Sequence, residues 1–479
     1  FNNREVFLIR GVIDAGVVSI VSTSSYIADG LVKNSNGSYT LTCKSHLDRT
    51  YKESNQFPEP TGAQVRADIN ETTTTIPVVG SQYSFSAGQV IRIGDELLVV
   101  NSVNGSGNSQ TLSVPTRGSS IGLSGGVVSK VEAEPHDEGD DIQVCYVSDN
   151  QRIPDFLRDV LLASGIKSSY INIGEWRDEI NDYWLDTFIS NIWSEPIAAK
   201  ALVDNVCADF MIDLWEDPTI KQIKISSVST WKKSSTIIKN GAGITEGTLR
   251  SKSKPDLRAS RCYVYYDKRF KTANEDRGNY KKLAVYADVQ YDSEDFYGME
   301  KVVELPSSTN HTFVSASLRT QRHVARFSVV PRQYSWGCEE KYLDYLTGDV
   351  VSFTDDYLTD AAGNPASVRA QVTKIQPKYN QIGRLYSVSA LTYLAAIDAD
   401  GAGGAPVFTL TGNVFDLNLW VHAGGPPDPV DVIFIFDGSN HGATRTGVPA
   451  VKAGRFAAGS TITIILRNNA AMLGKGGDS

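Results

Sequence analysis

Alternating apolar and polar positions dominate the first sixty residues and predict β-strands. β-branched residues cluster at 6–9 and at 17–21, and the Asp-Ala-Gly segment at 14–16 is typical of a hairpin turn. Residues 38–43 alternate in the same way. Two prolines and a glycine at 57–62 then interrupt the pattern and predict a linker.

Residues 62–137 are rich in Thr, Ser, Val and Gly and predict a small all-β module. Its predicted strands are 75–79, 89–93, 96–100, 111–114 and 126–131. The flanking segments 38–44 and 142–147 alternate like partners in one sheet, and they carry Cys43 and Cys145. We therefore interpret the module as an insertion into a parent domain, with its two ends meeting. The two cysteines are then expected on neighbouring strands, within about 10 Å of each other.

The clearest helical periodicity lies at 153–164, where apolar residues recur at i, i+3, i+4, i+7 and i+8 and Gly165 marks the end. A second helix is predicted to start at Glu195, with Pro196 as its first helical residue. Predicted strands at 211–215 and 220–228 complete a compact α+β unit.

The β pattern returns from Arg261 onwards. The predicted strands are 262–266, 283–289, 349–354, 367–375 and 384–394. Residues 312–327 have a loosely helical spacing, and 397–406 read as a flexible linker. Residues 401–479 are glycine-rich and lack Glu and Cys, and predicted strands at 417–421, 430–436 and 460–467 fit a small β-sandwich or barrel.

Composition narrows the class of protein. A chain of 479 residues corresponds to about three domains. A net charge of −9 argues against tight binding to polyphosphate surfaces, which requires clustered cations. The apolar runs are much shorter than a membrane span, and five cysteines do not form a disulfide framework. The chain starts at Phe1 without a visible signal peptide and stops in a glycine-rich segment, so we expect an ordered fragment of a longer protein.

None of the candidate motifs for metal binding, nucleophilic catalysis or phosphate binding has the flanking residues or spacing that its chemistry requires. Neither the six histidines nor the five cysteines have metal-ligand spacing, and scattered cysteines are usually small buried hydrophobes. Ser120 lies in a Gly-x-Ser-x-Gly segment that lacks the strand and helix of a nucleophile elbow. Gly474-Lys475 lacks the rest of a phosphate loop, and the segment 398–401 lacks the later ligands of a calcium loop. We assign no catalytic, cofactor-binding or metal-binding residues.

Carboxylates and tryptophans leave one enzymatic alternative open. Paired acids stand at 137–138, 140–141, 216–217, 294–295 and 355–356. A glycosidase needs two facing carboxylates about 5 to 9.5 Å apart in an aromatic-lined cleft. Four tryptophans could line such a cleft, although core packing is the favoured interpretation; they are Trp176, Trp184, Trp193 and Trp215.

Two motif groups resemble known families. The segment 91–100, with Gly94-Asp95-Glu96, is followed by 112–118, with Thr116-Arg117-Gly118, and the pair resembles a small β module of phage tail proteins. Segments 346–353 and 372–375 resemble the closing barrel of tail-tip (baseplate) hub proteins of long-tailed bacteriophages. The glycine-rich ending at 460–478 is similar to the segment that follows the hub in such proteins.

The resemblance implies a mainly β, multidomain fold with an α+β unit, two tube-like β-barrel hub domains, an inserted β module and a C-terminal β-sandwich. The expected domains are a first hub domain (1–61 plus 138–150), the inserted module (62–137), the α+β domain (151–235), the second hub barrel (236–397) and the glycine-rich β domain (398–479).

The same resemblance implies a structural protein of a siphophage virion, at the distal end of the tail. Such hubs are homotrimers that close the tail tube and open for DNA ejection. Their partners are the distal tail protein ring, the tape-measure protein and the fibre or central tip proteins, with a host surface receptor as a further partner. DNA would pass through the lumen without sequence-specific binding, which suits an acidic chain. No catalytic residue, cofactor or iron–sulphur cluster is carried over. A receptor-binding adhesin acting through 401–479 and a tail-associated polysaccharide depolymerase remain the alternatives.

Overall fold

The structure, a computed structural model, describes most of the chain. Not described are residues 1–3, 15–16, 49–54, 81–82, 119–120, 124–127, 130–131, 185–186, 230–231, 233, 270–275, 289–298, 360–364, 379–384, 393–406, 411–413, 416, 427–428, 438–439, 443–448, 468–469 and 474–479. Ser120, the calcium-like segment and Gly474-Lys475 therefore lie outside the described residues. Within the described part, no helix is long and apolar enough to cross a membrane.

The N-terminal segment forms an arm of three antiparallel strands in the order β1-β2-β3. Its strands are β1 (Glu5–Asp14), β2 (Val17–Lys33) and β3 (Tyr39–Lys44). Asp14 pairs with Val17, which confirms the predicted hairpin. The register shifts after Arg10 and after Ala28, where bulges strengthen the local twist.

The module region folds into an eight-stranded sheet with the order β8-β7-β13-β5-β6-β10-β9, and β14 pairs with β13. The strands of this region are β4 (Gln56–Phe57), β5 (Ala63–Val65), β6 (Thr75–Val79), β7 (Val90–Ile93), β8 (Glu96–Val99), β9 (Ser102–Ser106), β10 (Ser109–Ser113), β11 (Ile121–Gly122), β12 (Val128–Ser129), β13 (Asp141–Arg152) and β14 (Phe188–Trp193). β11 pairs with β12 in a separate small sheet. Ala63 pairs with Ile142, so the two ends of the module lie side by side.

The expected pairing of the strands that carry the two cysteines was wrong. Cys43 lies opposite Ala28 in the arm, whereas Cys145 lies opposite Val90 in the module sheet. The physical reason is that β13 is a long strand whose first half completes the module's own sheet and whose second half continues to β14. Alternation shows that a segment is a strand but does not identify its neighbour.

The α+β unit follows, with α1 (Ile153–Ala163), α2 (Ile173–Trp184), α3 (Ala199–Asp209) and three further strands. These strands are β15 (Ile197–Ala198), β16 (Ile212–Asp217) and β17 (Gln222–Ser227). The prediction of α1 is confirmed, including Gly165 at positive φ after its end. The predicted start at Pro196 was wrong, because Ile197 pairs with Phe57 and the helix begins only afterwards.

Residues 234–392 contain a seven-stranded sheet, β19-β18-β25-β26-β27-β24-β20, and a three-stranded sheet, β22-β21-β23. The strands are β18 (Ser234–Asn240), β19 (Gly243–Ile244), β20 (Arg250–Ser253), β21 (Arg261–Lys268), β22 (Tyr280–Ala287), β23 (Val302–Pro306), β24 (Arg332–Glu339), β25 (Val350–Thr359), β26 (Pro365–Lys378) and β27 (Leu385–Thr392). Thr245, directly after β19, donates its N–H to Gly337 O on β24 at 2.8 Å, so one end of the large sheet returns to the other as in a barrel. The predicted helix is confirmed as α4 (Phe313–Phe327), with the Thr312 side chain capping its N-terminus.

The C-terminal unit consists of parallel strands stacked in three coils. Its elements are β28 (Val407–Leu410), β29 (Val414–Phe415), β30 (Leu417–Asn418), α5 (Leu419–His422), β31 (Asp431–Asp437), β32 (Asn440–Gly442), β33 (Val451–Lys452), β34 (Thr461–Arg467) and β35 (Ala471–Leu473). β31 pairs in parallel with both β28 and β34, and β32 likewise with β29 and β35. The mainly β, multidomain fold is confirmed, but the expected β-sandwich was wrong, and only Leu417–Asn418 of the strand predicted at 417–421 is a strand, because a helix follows at once. The paired strands are separated in the chain by two other strands, and such long connections produce parallel stacking rather than hairpins.

We expect Gly243→Ala to destabilise the barrel more than Gly241→Ala. Both glycines have positive φ, which costs an alanine about 1–2 kcal/mol. A Cβ at Gly241 meets open space, whereas one at Gly243 collides with the Ile238 side chain and adds roughly 1–3 kcal/mol of overpacking. Urea unfolding of the two variants measures the difference, and equal midpoints would contradict the barrel geometry.

Candidate functional site

The N-terminal arm presents apolar side chains on both of its faces. The register places Phe7, Ile9 and Ile20 on one face and Leu31, Tyr39 and Leu41 on the other, and all six are exposed. A sheet in a folded chain normally covers at least one face. Contiguous exposed apolar surface of this kind marks an interaction site.

The base of the arm is fixed to the turn between β16 and β17. Ser25 donates its N–H to Pro218 O at 3.0 Å, and Lys221 Nζ lies 2.6 Å from the Glu5 carboxylate. The hydrogen bond from Lys221, followed by that from Ser25, lowers the pKa of Glu5 to about 2. His46 Nδ1 lies 2.6 Å from Glu216 Oε1, and both side chains are buried. The arm is therefore a positioned element with an uncovered apolar surface.

The two halves of the module motif meet in a buried ion pair. Arg117 forks onto the Glu96 carboxylate, with Nη2 at 2.6 Å from Oε2 and Nε at 2.9 Å from Oε1. Gly118 donates its N–H to Glu96 Oε1 at 3.0 Å, and His136 Nε2 lies 3.0 Å from Oε2. Arg117 also donates to the Asn70 and Thr73 carbonyls, so one guanidinium ties several loops of the module together.

Burial alone would raise the pKa of Glu96, but the hydrogen bonds from Arg117, the Gly118 amide and His136 together hold that pKa below its usual value. Glu96 is thus ionised and fully paired in the folded module. Its part in the structure is architectural, because every oxygen of the carboxylate is occupied.

Sequence reasoning missed a polar network around α4. Arg319 donates to Asp209 Oδ1 at 2.8 Å, and Thr309 Oγ1 donates to Oδ2 at 2.5 Å, all within the interior. Burial, reinforced by Arg319 and Arg326, lowers the pKa of His323 to about 4 and keeps its ring neutral. A helix face made of polar residues predicts exposure to solvent, so the sequence pattern does not indicate that these side chains are buried.

Arg322 of α4 joins the C-terminal unit to the α+β unit. Its Nε donates to Gly424 O at 3.1 Å, its Nη2 donates to Tyr183 O, and its guanidinium lies 4.4 Å from the Trp184 ring centroid. Trp420 and Val421 of α5 lie in the same apolar cluster as α1 and α2. The C-terminal unit is consequently docked on the body of the protein through α5.

Three of the four tryptophans considered for a sugar cleft are core residues. Trp176, Trp184 and Trp193 are buried, and Trp215 is partly exposed on β16. A cavity of about 190 Å³ beside Trp184 is lined, among the described residues, by apolar side chains together with Arg152, Arg177, Asn181 and Thr187, and by no carboxylate. The core-packing interpretation is therefore confirmed for these three side chains.

Three of the five cysteines are buried, and the described part of the chain holds no cluster of metal ligands. Cys145, Cys262 and Cys338 are buried, and burial raises the pKa of Cys262 to about 12, so its thiol stays protonated. Within the described ranges, no group of three or more His, Cys, Asp or Glu side chains could hold a metal ion.

Comparisons with known proteins find structural neighbours among phage tail proteins. No protein-family model and no curated protein sequence matches this chain. The 43 kDa tail protein of prophage MuSo2 from Shewanella oneidensis is similar over 75% of this chain and 97% of its own, with 13% identity and a TM-score of 0.33. A tail protein from Neisseria meningitidis is similar over 72% and 99%, with 10% identity and a TM-score of 0.33. A protein of the virion of a native gene transfer agent is similar over 72% and 86%, with 9% identity and a TM-score of 0.37.

We expect Arg117→Met to destabilise the module by about 3–5 kcal/mol, because it leaves the Glu96 charge buried without its partner. The matched control is Arg92→Met, whose partner Glu195 is exposed at 3.1 Å and whose loss should cost at most about 1 kcal/mol. Thermal unfolding of both variants tests this difference, and equal losses of stability would contradict the buried ion pair.

Because the pKa of Glu96 is lowered, the stability that its carboxylate contributes is fully present above its unfolded pKa and is lost as pH falls through the folded value. Glu96→Gln should therefore flatten the acid limb of the stability profile, and an unchanged limb would contradict the assignment.

Proposed function

We propose that this chain is a structural subunit of a bacteriophage tail, and more specifically a trimeric hub that closes the tail tube at its distal tip. The observation that carries the proposal is the three-stranded arm with apolar side chains on both faces. Such a sheet is stable in an assembly, where neighbouring subunits cover it and pair with its edges.

A closed ring suits this surface better than a pair of subunits. The arm offers two different apolar faces, so a neighbour on each side buries both, which is a head-to-tail contact that closes around a rotation axis. The curved sheet of the second hub region supplies the other tube-like element of the subunit. Three subunits with two such elements each would form the pseudo-sixfold ring that the resemblance implies.

The proposed partners follow from that position. The ring would contact the distal tail protein ring on one side, the tape-measure protein inside and the fibre or central tip proteins on the other side. DNA would pass through the lumen during ejection, and a net charge of −9 disfavours adhesion of the passing polyanion. A host surface receptor would be met through these tip proteins.

Two observations weigh against the alternative functions. The C-terminal unit is docked through Trp420 and through Arg322, which supports a hub-associated unit over an outward-facing adhesin. Trp176, Trp184 and Trp193 are buried and so do not line an open sugar-binding groove, which favours a structural role over a depolymerase.

A cryo-EM map of the tail tip should show three copies of this chain, and six copies or one copy would contradict the ring.

Ile9→Lys should reduce incorporation of the chain into tails, because it places a charge in the covered apolar face. Val285→Lys is the matched control, since Val285 is 54% exposed and Ile9 58% exposed, both on strands. Quantitative mass spectrometry of purified particles measures how much of each variant is incorporated. An equal reduction for both variants would show that the arm is not part of the subunit interface.

We expect no hydrolysis of host cell wall or capsule by the purified chain, because the sequence around the candidate motifs does not predict the structural context that catalysis requires. Zymography on both substrates should give no clearing. Clearing that disappears when an exposed carboxylate pair, such as Asp137 and Glu138, is replaced by amides would show that the chain is a depolymerase.

A further inference from the structure

The cavity beside Trp184 is lined by residues from the N-terminus of α1, from α2 and from the start of β14. Its polar lining includes Arg152, Arg177 and the Trp184 ring, and no carboxylate of the described residues belongs to it. Guanidinium and indole N–H groups only donate hydrogen bonds. The described lining therefore offers hydrogen bonds to an acceptor and holds positive charge that it does not itself balance.

Two of these donor groups are buried without a hydrogen-bond partner. Trp184 is 1% exposed, and its Nε1 meets no acceptor. The buried Nε of Arg177 meets none either, although Nη2 of the same side chain lies 2.6 Å from Asp155 Oδ1. Buried donors in folded proteins are normally satisfied, so an acceptor in the cavity would offset the cost of their desolvation.

The N-terminus of α1 adds to the positive character of this cavity. Arg152 is the residue at the N-cap position, no side chain caps the helix, and none of the described residues forms a salt bridge with Arg152. The first turn of a helix carries a partial positive charge that favours an anion. The neighbouring salt bridges join Arg158 and Arg177 to Asp155 and Asp159, so that Arg152 is left as the surplus positive charge.

The apolar part of the lining indicates what the anion carries. Pro154, Ile180 and Phe188 line the same cavity, and they suit an aliphatic stem. A volume of about 190 Å³ has room for about six water-sized groups at ~30 Å³ each. One surplus positive charge is balanced by a monoanion and exceeded by a phosphate dianion. The lining thus matches a carboxylate on a short aliphatic stem.

We propose that this cavity binds such a carboxylate, which Arg152, Arg177 and the Trp184 N–H hold at the N-terminus of α1. A free short-chain acid and a glutamate side chain of another protein share this chemistry. The bound group would lie beside the Trp184 ring, whose centroid is 4.4 Å from the Arg322 guanidinium that docks the C-terminal unit. The inference does not depend on the proposed tail function, because the purified chain is enough to test it.

Butyrate, with six non-hydrogen atoms, is the probe, and butyramide is its uncharged counterpart. In the chain labelled with ¹⁵N-tryptophan, butyrate should shift the indole N–H resonance of Trp184 with half-saturation at roughly 1 mM. Trp184→Phe identifies that resonance, and Trp336, in the core of the seven-stranded sheet, should not respond. An unchanged Trp184 resonance, an equal response to butyramide, or tighter binding of inorganic phosphate than of butyrate would overturn the proposal.

Arg152→Met should weaken butyrate binding by roughly tenfold or more, because it removes a charge-assisted hydrogen bond. Arg152 is exposed, so the variant should keep the melting temperature of the parent chain. Arg250→Met, which removes an exposed arginine from β20, is the matched control and should bind butyrate like the parent. Equal affinities of the two variants for butyrate would overturn the proposal.

Asp186→Asn tests whether a carboxylate of the chain itself takes this place, since Asp186 lies outside the described residues and close to Trp184 in the sequence. Unchanged butyrate binding supports the proposal, and binding that appears only in this variant would overturn it. Saturation-transfer NMR on intact tails, compared with tails that carry Arg152→Met, separates the two sources of the carboxylate. Loss of butyrate binding in the tails supports a glutamate of a neighbouring component, and retained binding supports a free acid.

Discussion

One apolar cluster connects most units of this protein, and their relative placement depends on it. Its centre is formed by α1 and α2 with Phe156 and Trp176, and it reaches Leu47 next to the arm, Leu318 of α4 and Trp420 of the C-terminal unit. Large aromatic side chains contribute most of the buried area in such a cluster, and dense packing leaves few alternative arrangements. The units that contribute to this cluster are therefore packed against one another, whereas the module sheet and the seven-stranded sheet keep cores of their own.

Buried charged side chains make the packing between these units geometrically specific. Arg319 is held by Asp209, and Arg322 by the carbonyls of Tyr183 and Gly424, in places where water does not reach. A buried ion pair contributes little net stability because desolvation offsets the attraction. It does penalise every arrangement that separates the partners. The contacts of Arg319 and Arg322 thus favour one docking geometry for the C-terminal unit. Apolar packing alone would specify that geometry less strictly.

The surfaces left uncovered carry the functional argument. The arm is fixed at its base by Glu5 and His46 but exposes apolar side chains on both faces. This is a strand surface that a neighbouring subunit can cover, and the proposed function therefore rests on the arm.

The sequence by itself determined where most strands and helices lie. Apolar spacing located α1, β6, β8, β31 and β34 within one or two residues, because periodicity follows directly from local backbone geometry. The helix α2 was missed, although Trp176, Ile180 and Trp184 recur at i, i+4 and i+8 and could have revealed it. Only the tertiary structure decided which strands pair, as Cys43 and Cys145 in different sheets and the parallel C-terminal coils show. It alone brought Glu96, Arg117 and His136 together. The reason is that pairing and burial depend on contacts between residues far apart in the chain, and local periodicity carries no information about which distant segments meet.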